Sequence, residues 1–355
     1  MKKKSTVQKI LSIVLAAALV LGGTGLSIGS ENVKYKEGIR AEKKIAEGAS
    51  AYAQAAGATP VQQHGALKVS GTDLKDSQGN TVQLKGVSTH GIAWFPQYVN
   101  KNAFQTLRDQ YGINLIRLAM YTNKSEGYGV TAQKKVQEGV TYATELGMYV
   151  IIDWHILSDG NPNQHKKAAK KFFSKMAKKY KNQKNVLYEI CNEPNGNVTW
   201  QKDIKPYAKA MIKTIRKYSK KSVIIVGTPT WSQDVDIVAQ SPLKGYQNIM
   251  YTLHFYAATH KEWIQNKLVT AHNKGLPVFV TEFSICDASG NGGLDKVSGN
   301  QWMKLLNKYK ISYAAWSLCN KNESSALLSS RCTKTSGWTK SDLSKAGKWY
   351  FSKVK

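Results

Sequence analysis

Acidic residues, cysteines and long apolar runs are all scarce in this chain, and each shortage narrows what it can be. Four cysteines in 355 residues cannot knit a small disulfide scaffold, so the fold must rest on a packed core. Cys191, beside Asn192 in an apolar run, reads as a small buried filler, while Cys286, Cys319 and Cys332 leave one disulfide open but undecided. No His-x-x-x-His or paired-cysteine spacing occurs, so no catalytic metal and no cofactor are expected. Asp287-Ala288-Ser289-Gly290-Asn291-Gly292 starts like a calcium loop, but Ser298 stands where the bidentate glutamate should follow, which favours a flexible glycine-rich loop. The apolar stretch Ile10 to Leu21 is cut short by Gly22, Gly23 and Gly25 before the roughly 20 residues a membrane span needs.

That stretch follows Lys2, Lys3, Lys4 and Lys9 and precedes small residues, the pattern of a secretory signal peptide over residues 1–29. No cysteine follows it, which excludes a lipid-modified N-terminus. Export into the medium without stable membrane association is therefore expected. Residues 30–64, rich in Ala, Gly, Glu and Lys, read as a linker or N-terminal extension, and residues 65–355 as one domain. No strand-rich segment with exposed aromatics remains for a separate carbohydrate-binding module, and a monomer is expected.

Acid is outnumbered by base, 23 to 51, giving +28, of which +24 remains without the four leader lysines. Such a balance suggests nucleic acid. Yet the lysines interleave with Ala169, Phe172, Phe173, Met176 and Tyr180 at helical spacing, the pattern of an outer helix with a solvated face. No nucleic-acid motif accompanies them, so nucleic acid is not an expected partner.

From Leu67 the chain shows a hairpin, Leu67 to Thr72 and Thr81 to Leu84 around the turn Ser77-Gln78-Gly79-Asn80, then short apolar runs alternating with amphipathic stretches. The runs are Val82–Ser88, Asn114–Met120, Tyr149–Trp154, Val186–Ile190, Val223–Gly227, Ile249–Phe255, Val278–Phe283 and Ile311–Leu318. Helices are expected at Ala103–Gln110, Lys134–Leu146, Ile204–Tyr218 and Lys261–Lys274, the last stopped by Gly275-Leu276-Pro277. Eight such units make an α/β fold, a (β/α)8 TIM barrel with the N-terminal β-hairpin at its bottom.

In a barrel, chemistry belongs at the carboxyl ends of the strands. There stand His90 and Trp94, Arg117 and Tyr121, His155, Asn192 and Glu193, Trp231, His254 and Tyr256, Glu282, and finally Trp316, Lys321 and Glu323. Glu193 and Glu282 each close an apolar run, and two carboxylates facing across a barrel mouth suit cleavage of a glycosidic bond, one as acid and the other ionised to attack the sugar carbon or to activate water against it. Either alone would pass for a surface acid. Arg117 within an apolar strand requires an anionic partner, naturally a catalytic carboxylate. The three histidines could each be ordinary core residues, and the tryptophans could be core or platforms that stack on sugar faces. Asn192 could cap its strand or hold a sugar hydroxyl.

Taken together, the segments Gln83 to Gly91, Asp153-Trp154-His155-Ile156-Leu157, Tyr188 to Gly196, Thr230 to Val235, Leu253-His254-Phe255-Tyr256-Ala257 and Asp287 to Gly293 resemble glycoside hydrolase family 5, and within it the bacterial endo-β-1,4-glucanases. The resemblance implies a retaining enzyme acting on β-1,4-glucan, with Glu193 as acid/base and Glu282 as nucleophile. It places supporting roles on Arg117, His90, His155, Asn192, His254, Tyr256 and Trp316, and sugar contacts on the non-reducing side on Lys321 and Glu323. Cys191 departs from the usual small residue there and Phe283 from the common tryptophan, which bears on subsite shape. The alternatives are main activity on mannan or xyloglucan, and a glycan-binding protein without catalysis.

Overall fold

The computed structural model describes residues 57–354, so the expected leader at 1–29 and residues 30–56 of the expected extension lie outside the described residues. The folded unit starts at Ala58 rather than at residue 65. A short helix, Pro60–His64, is closed by a capping box in which Thr59 and Gln62 satisfy each other's backbone N–H groups. It is tied to the barrel by Val61 N to Gly147 O, 2.9 Å, and by the Tyr149 hydroxyl to Gly65 O, 2.7 Å. A polar, alanine-rich composition hides such an anchor because its bonds are to backbone.

The hairpin is also tighter than its turn residues suggest. Strand β1, Lys68–Ser70, pairs antiparallel with β2, Asp73–Lys75, so the chain reverses at Gly71, whose φ of +60° suits glycine. The Ser77–Asn80 turn is real but follows β2, where Asp76 accepts from the N–H groups of Gln78 and Asn80, both at 2.9 Å, and only a single bridge, Lys75 to Thr81, continues the pairing.

The remaining strands are β3 Lys85–Thr89, β4 Leu115–Tyr121, β5 Tyr149–His155, β6 Val186–Glu189, β7 Ile224–Val226, β8 Ile249–Tyr256, β9 Val278–Ser284 and β10 Tyr313–Leu318. They run parallel and close in the order β10-β3-β4-β5-β6-β7-β8-β9, with β10 returning to β9. Every residue of β4, β5, β8 and β9 is buried. Parallel strands sandwiched between barrel interior and helix ring have no wet face, which is why they read as unbroken apolar runs.

The helices at Lys101–Tyr111, Val130–Glu145, Lys205–Arg216 and Glu262–Asn273 stand where the 3.6-residue periodicity places them. Helix Lys166–Lys179 turns Ala169, Phe172, Phe173, Met176 and Ala177 inward and its lysines outward. Burying each phenylalanine there contributes about 2–3 kcal/mol, and Phe172 packs its ring 5.4 Å from that of Trp154. The excess positive charge of this segment therefore sits on a solvated face.

Inside the barrel the side chains form layers. At the bottom, Leu67, Leu74, Val82 and Leu84 of the hairpin region pack against Leu115, Ile151, Ile225 and Phe279, so the hairpin plugs that end. At the top, Ala119, Tyr121, Tyr256, Cys286 and Trp316 form an apolar rim. Between them lies a polar layer, and it carries the chemistry. All four cysteines are buried and free.

Candidate active site

The polar layer is organised by Arg117, which is fully buried in β4. Its guanidinium donates to Glu189 through Nε, 2.8 Å, and Nη2, 3.1 Å, and to Glu282 through Nη1, 2.9 Å. Nη2 also lies 3.0 Å from Asp153 and 2.5 Å from Asn192 Oδ1. Burial alone would lower the arginine pKa, but Asp153, Glu189 and Glu282 override it and hold it well above its ordinary value. The anionic partner that a buried arginine requires is present in Glu282, and two further carboxylates join it. Asp153 and Glu189 are opposite each other in the β5–β6 register.

Glu193 follows β6 in a segment bonded to the end of β5, Asn192 N to Trp154 O at 3.1 Å and Glu193 N to Ile156 O at 3.3 Å. Gly227 is required beside it, because a Cβ there would meet Cys191 O at 2.2 Å. Cys191 is itself fully buried. Glu282 stands in β9 opposite His254 of β8, and Tyr256, two residues on, donates its hydroxyl to Glu282 Oε1 at 2.7 Å. One carboxylate oxygen of Glu193, one of Glu282 and a His254 ring nitrogen all lie within 4.8 Å of one another.

The environments of the two glutamates differ. Burial pushes the Glu193 carboxyl up to about 8; Arg117 opposes this, while Asp153 and Glu189 reinforce it. Glu282 is gripped by two donors, Arg117 and Tyr256. Burial likewise pushes Asp153 up to about 7, with Arg117 opposing, and pushes His254 down to about 4. A group that must be protonated to act loses activity as pH rises through its pKa. With Glu193 as the expected acid, activity should fall on the alkaline side with a midpoint near 8. In Glu193→Gln, assayed as kcat/KM with an activated leaving group, that limb should be absent; persistence of the limb would assign it to another residue.

The cleft above this layer is a cavity of about 520 Å³. Glu193, Glu282, His90, Trp94, Tyr121, His155, Trp231, His254, Tyr256, Trp316, Lys321 and Glu323 all line it. Arg117 and Asn192 do not: they lie beneath the floor, fully buried. Asn192 donates its amide to Ile156 O, 3.0 Å, and toward His155 Nε2, 3.4 Å, with its oxygen on Arg117. Its amide and its oxygen both join the network around Arg117.

Aromatic rings build the walls. His155 stacks on Trp316 at 5.2 Å and 13°, and Trp94 packs 4.6 Å from Tyr121. Trp94 and Trp231 keep 47% and 45% of their surface exposed, which leaves open ring faces for a ligand. Trp231 is presented by an unusual backbone: Thr230, Trp231 and Ser232 have φ of 56°, 52° and 57° without a glycine. Such a run costs roughly 1–2 kcal/mol per residue, and it is held by Ser232 Oγ donating to Asn192 O at 2.6 Å and Trp231 N donating to Pro194 O at 3.0 Å. At the other end Glu323 lies 3.6 Å from His90 and 2.5 Å from Lys321. Burial acts to raise its pKa, but the His90 and Lys321 contacts win and bring it down to about 2.

Residues that the sequence did not single out also line the cavity: Leu157, Gln233 and His260. His260 is four residues past Tyr256 and accepts from its backbone N–H at 2.9 Å, a local bond without any sequence motif. The glycine-rich loop contributes Ala288, Ser289 and Gly290 to the wall. Asp287 turns back into it, accepting from Ser289 N at 3.1 Å, and Ser325 N donates to Gly290 O at 3.0 Å.

The family model for cellulase, glycosyl hydrolase family 5, matches residues 75–322. An endoglucanase of Clostridium saccharobutylicum is 51% identical over 286 residues, 80% of this chain and 63% of that protein. Endoglucanase N of Pectobacterium atrosepticum is 46% identical over 300 residues, 84% and 67% respectively. The chain thus spans about two thirds of the length of these relatives. Among solved structures, the catalytic domain of a Thermobifida fusca endoglucanase, in complex with cellotetraose, superposes with a TM-score of 0.79 at 37% identity, covering 84% of this chain and 99% of that one.

Proposed function

We propose that this protein, which belongs to glycosyl hydrolase family 5, the cellulase family, is a retaining endo-β-1,4-glucanase acting on cellulose-like glucans. The observation that carries the reading is the facing pair Glu193 and Glu282, with oxygens within 4.8 Å. Retaining glycosidases hold their carboxyl groups about 5–5.5 Å apart, whereas inverting ones need about 6.5–9.5 Å to admit a water. Glu193, kept protonated by burial, gives its proton to the leaving oxygen while Glu282 attacks the anomeric carbon. Glu193 then takes a proton from the water that releases the glycosyl enzyme, so one residue serves as acid and as base.

The open cleft suits an internal segment of a long chain, with Trp94 and Trp231 as stacking faces and the His90–Glu323–Lys321 group as hydrogen-bonding partners for sugar hydroxyls. The relatives named endoglucanase and the neighbour solved with cellotetraose support glucan as the polymer. A panel of soluble β-glucan, xyloglucan and mannan, assayed for new reducing ends, tests the reading. Release is expected to be fastest from the β-1,4-glucan; none from any polymer would leave only a glycan-binding role, and a faster rate on mannan or xyloglucan would reassign the substrate.

Export fits a polymeric substrate. The basic start and short apolar run of residues 1–29 support it, and no helix among the described residues is long and apolar enough to cross a membrane. Intact mass of protein recovered from the medium should show loss of the leader; full-length protein found only in membranes would contradict export.

A further inference from the structure

Beneath Glu193 runs a chain of hydrogen bonds whose direction can be read from the donors available. Glu193 Oε1 lies 2.8 Å from His254 Nδ1, and His254 Nε2 lies 2.9 Å from Thr281 Oγ1. Thr281 Oγ1 lies 2.8 Å from Glu189 Oε1, and Glu189 is gripped from the far side by two nitrogens of Arg117. All of these side chains are buried.

The proton count fixes the direction. Glu189 faces the Arg117 guanidinium of β4 with both oxygens, so it accepts at both and takes the one hydroxyl proton of Thr281. Thr281 Oγ1 then has lone pairs to accept from His254 Nε2–H and from the Thr252 hydroxyl, which is also in contact with it. A neutral imidazole carries one N–H. With Nε2 as the donor, Nδ1 is an acceptor, and the contact with Glu193 requires the proton to be on Glu193.

Resting on the reading of Glu193 as the general acid, we propose that Glu189 and Thr281 are positioning residues that hold His254 in its Nε2–H tautomer and thereby keep the proton on Glu193. Neither residue lines the cavity. The charged and titratable groups facing the chain are Arg117 and Tyr121 from β4, Asp153 and His155 from β5, Tyr256 from β8 and Glu282 from β9. Arg117 is the one permanent cation among them and is drawn onto Glu189, Asp153 and Glu282. The ring stays neutral above about pH 4, because burial pushes His254 down to that value. A second neutral tautomer, Nδ1–H, would donate to Glu193 and favour its ionised, inactive form. The chain to Glu189 selects against it.

The test compares Thr281→Val with Thr281→Ser in kcat/KM against pH on a soluble β-1,4-glucan and on an aryl cellobioside with an activated leaving group. Thr281→Val removes the acceptor for Nε2–H and should move the alkaline limb on the glucan to lower pH by about one unit, with little loss on the activated substrate. Thr281→Ser should restore the wild-type limb. An unmoved limb in Thr281→Val, or equal losses on both substrates, would overturn the proposal and leave Thr281 a packing neighbour of Glu282. Nitrogen-15 NMR of the imidazole in the wild-type protein supplies a readout independent of the variants: a protonated Nε2 is expected, and a protonated Nδ1 at neutral pH overturns the proposal. If instead wild-type protein releases no reducing ends, or its alkaline limb survives Glu193→Gln, it is the assignment of function that fails.

Discussion

Glu282→Ala should abolish hydrolysis, lowering kcat by roughly 10⁴-fold or more, equivalent to about 5 kcal/mol of lost transition-state stabilisation. No neighbouring group can take over. Tyr256 and Arg117 donate to Glu282 and cannot attack in its place, and in the proposed mechanism Glu193 serves proton transfer at the leaving oxygen. The same truncation opens a space beside the anomeric carbon. Azide placed there should attack an activated β-glycoside from below and yield the α-glycosyl azide, because a single displacement inverts. In Glu193→Ala, azide should instead intercept an intact glycosyl enzyme on Glu282 and yield the β-azide. Product NMR distinguishes the two anomers, and the same azide anomer from both variants would remove the basis for assigning different roles to the two glutamates.

The second large effect concerns stability. Arg117→Met removes the cation that faces Asp153, Glu189 and Glu282 at 3.0, 2.8 and 2.9 Å, all in the buried layer. Leaving one partner of a buried ion pair uncompensated costs about 3–5 kcal/mol, and here three carboxylates lose their counter-charge. Burial raises the pKa of Asp153 and of Glu189 against the opposing pull of Arg117, and removing that cation leaves burial unopposed. A group raised in this way contributes stability that is complete below its unfolded pKa and is lost as pH rises through its folded pKa. Without Arg117 both groups rise further, so wild type and variant lose stability in parallel while both hold their protons, and the deficit of the variant should widen as pH rises through the wild-type folded value of Asp153, about 7, and beyond. Denaturant midpoints measured across that range check it. A deficit that is small, or independent of pH, would mean that the carboxylates find other partners.

Much of this site was legible in the sequence because barrel strands end in the chemistry they present. Glu193, Glu282, the histidines and the wall tryptophans all stand where an apolar run gives way to a loop, and all of them reach the cavity. Arg117 was conspicuous as a charge inside such a run. Asp153 and Glu189 were not, since each sits at the end of a run where an acid passes for a strand terminus. Their inward direction is set by the register Asp153 opposite Glu189, which no single segment reveals. Asn192 looked like a group for substrate because it adjoins Glu193, and its fully buried place against Arg117 comes from tertiary contacts that no single segment reveals. The hairpin was misjudged by its stronger turn signal, Ser77 to Asn80, when Gly71 alone was enough to reverse the chain.

Direct attack by Glu282 requires Glu193 and Glu282 to face each other at close range, and the configuration of the first product reports on it. Proton NMR of wild-type protein acting on a soluble cello-oligosaccharide, recorded before mutarotation equilibrates the new reducing end, should show the β-anomeric signal appearing first. Early appearance of the α-anomer would mean that water attacks across a wider gap, and Glu282 could not then be the nucleophile.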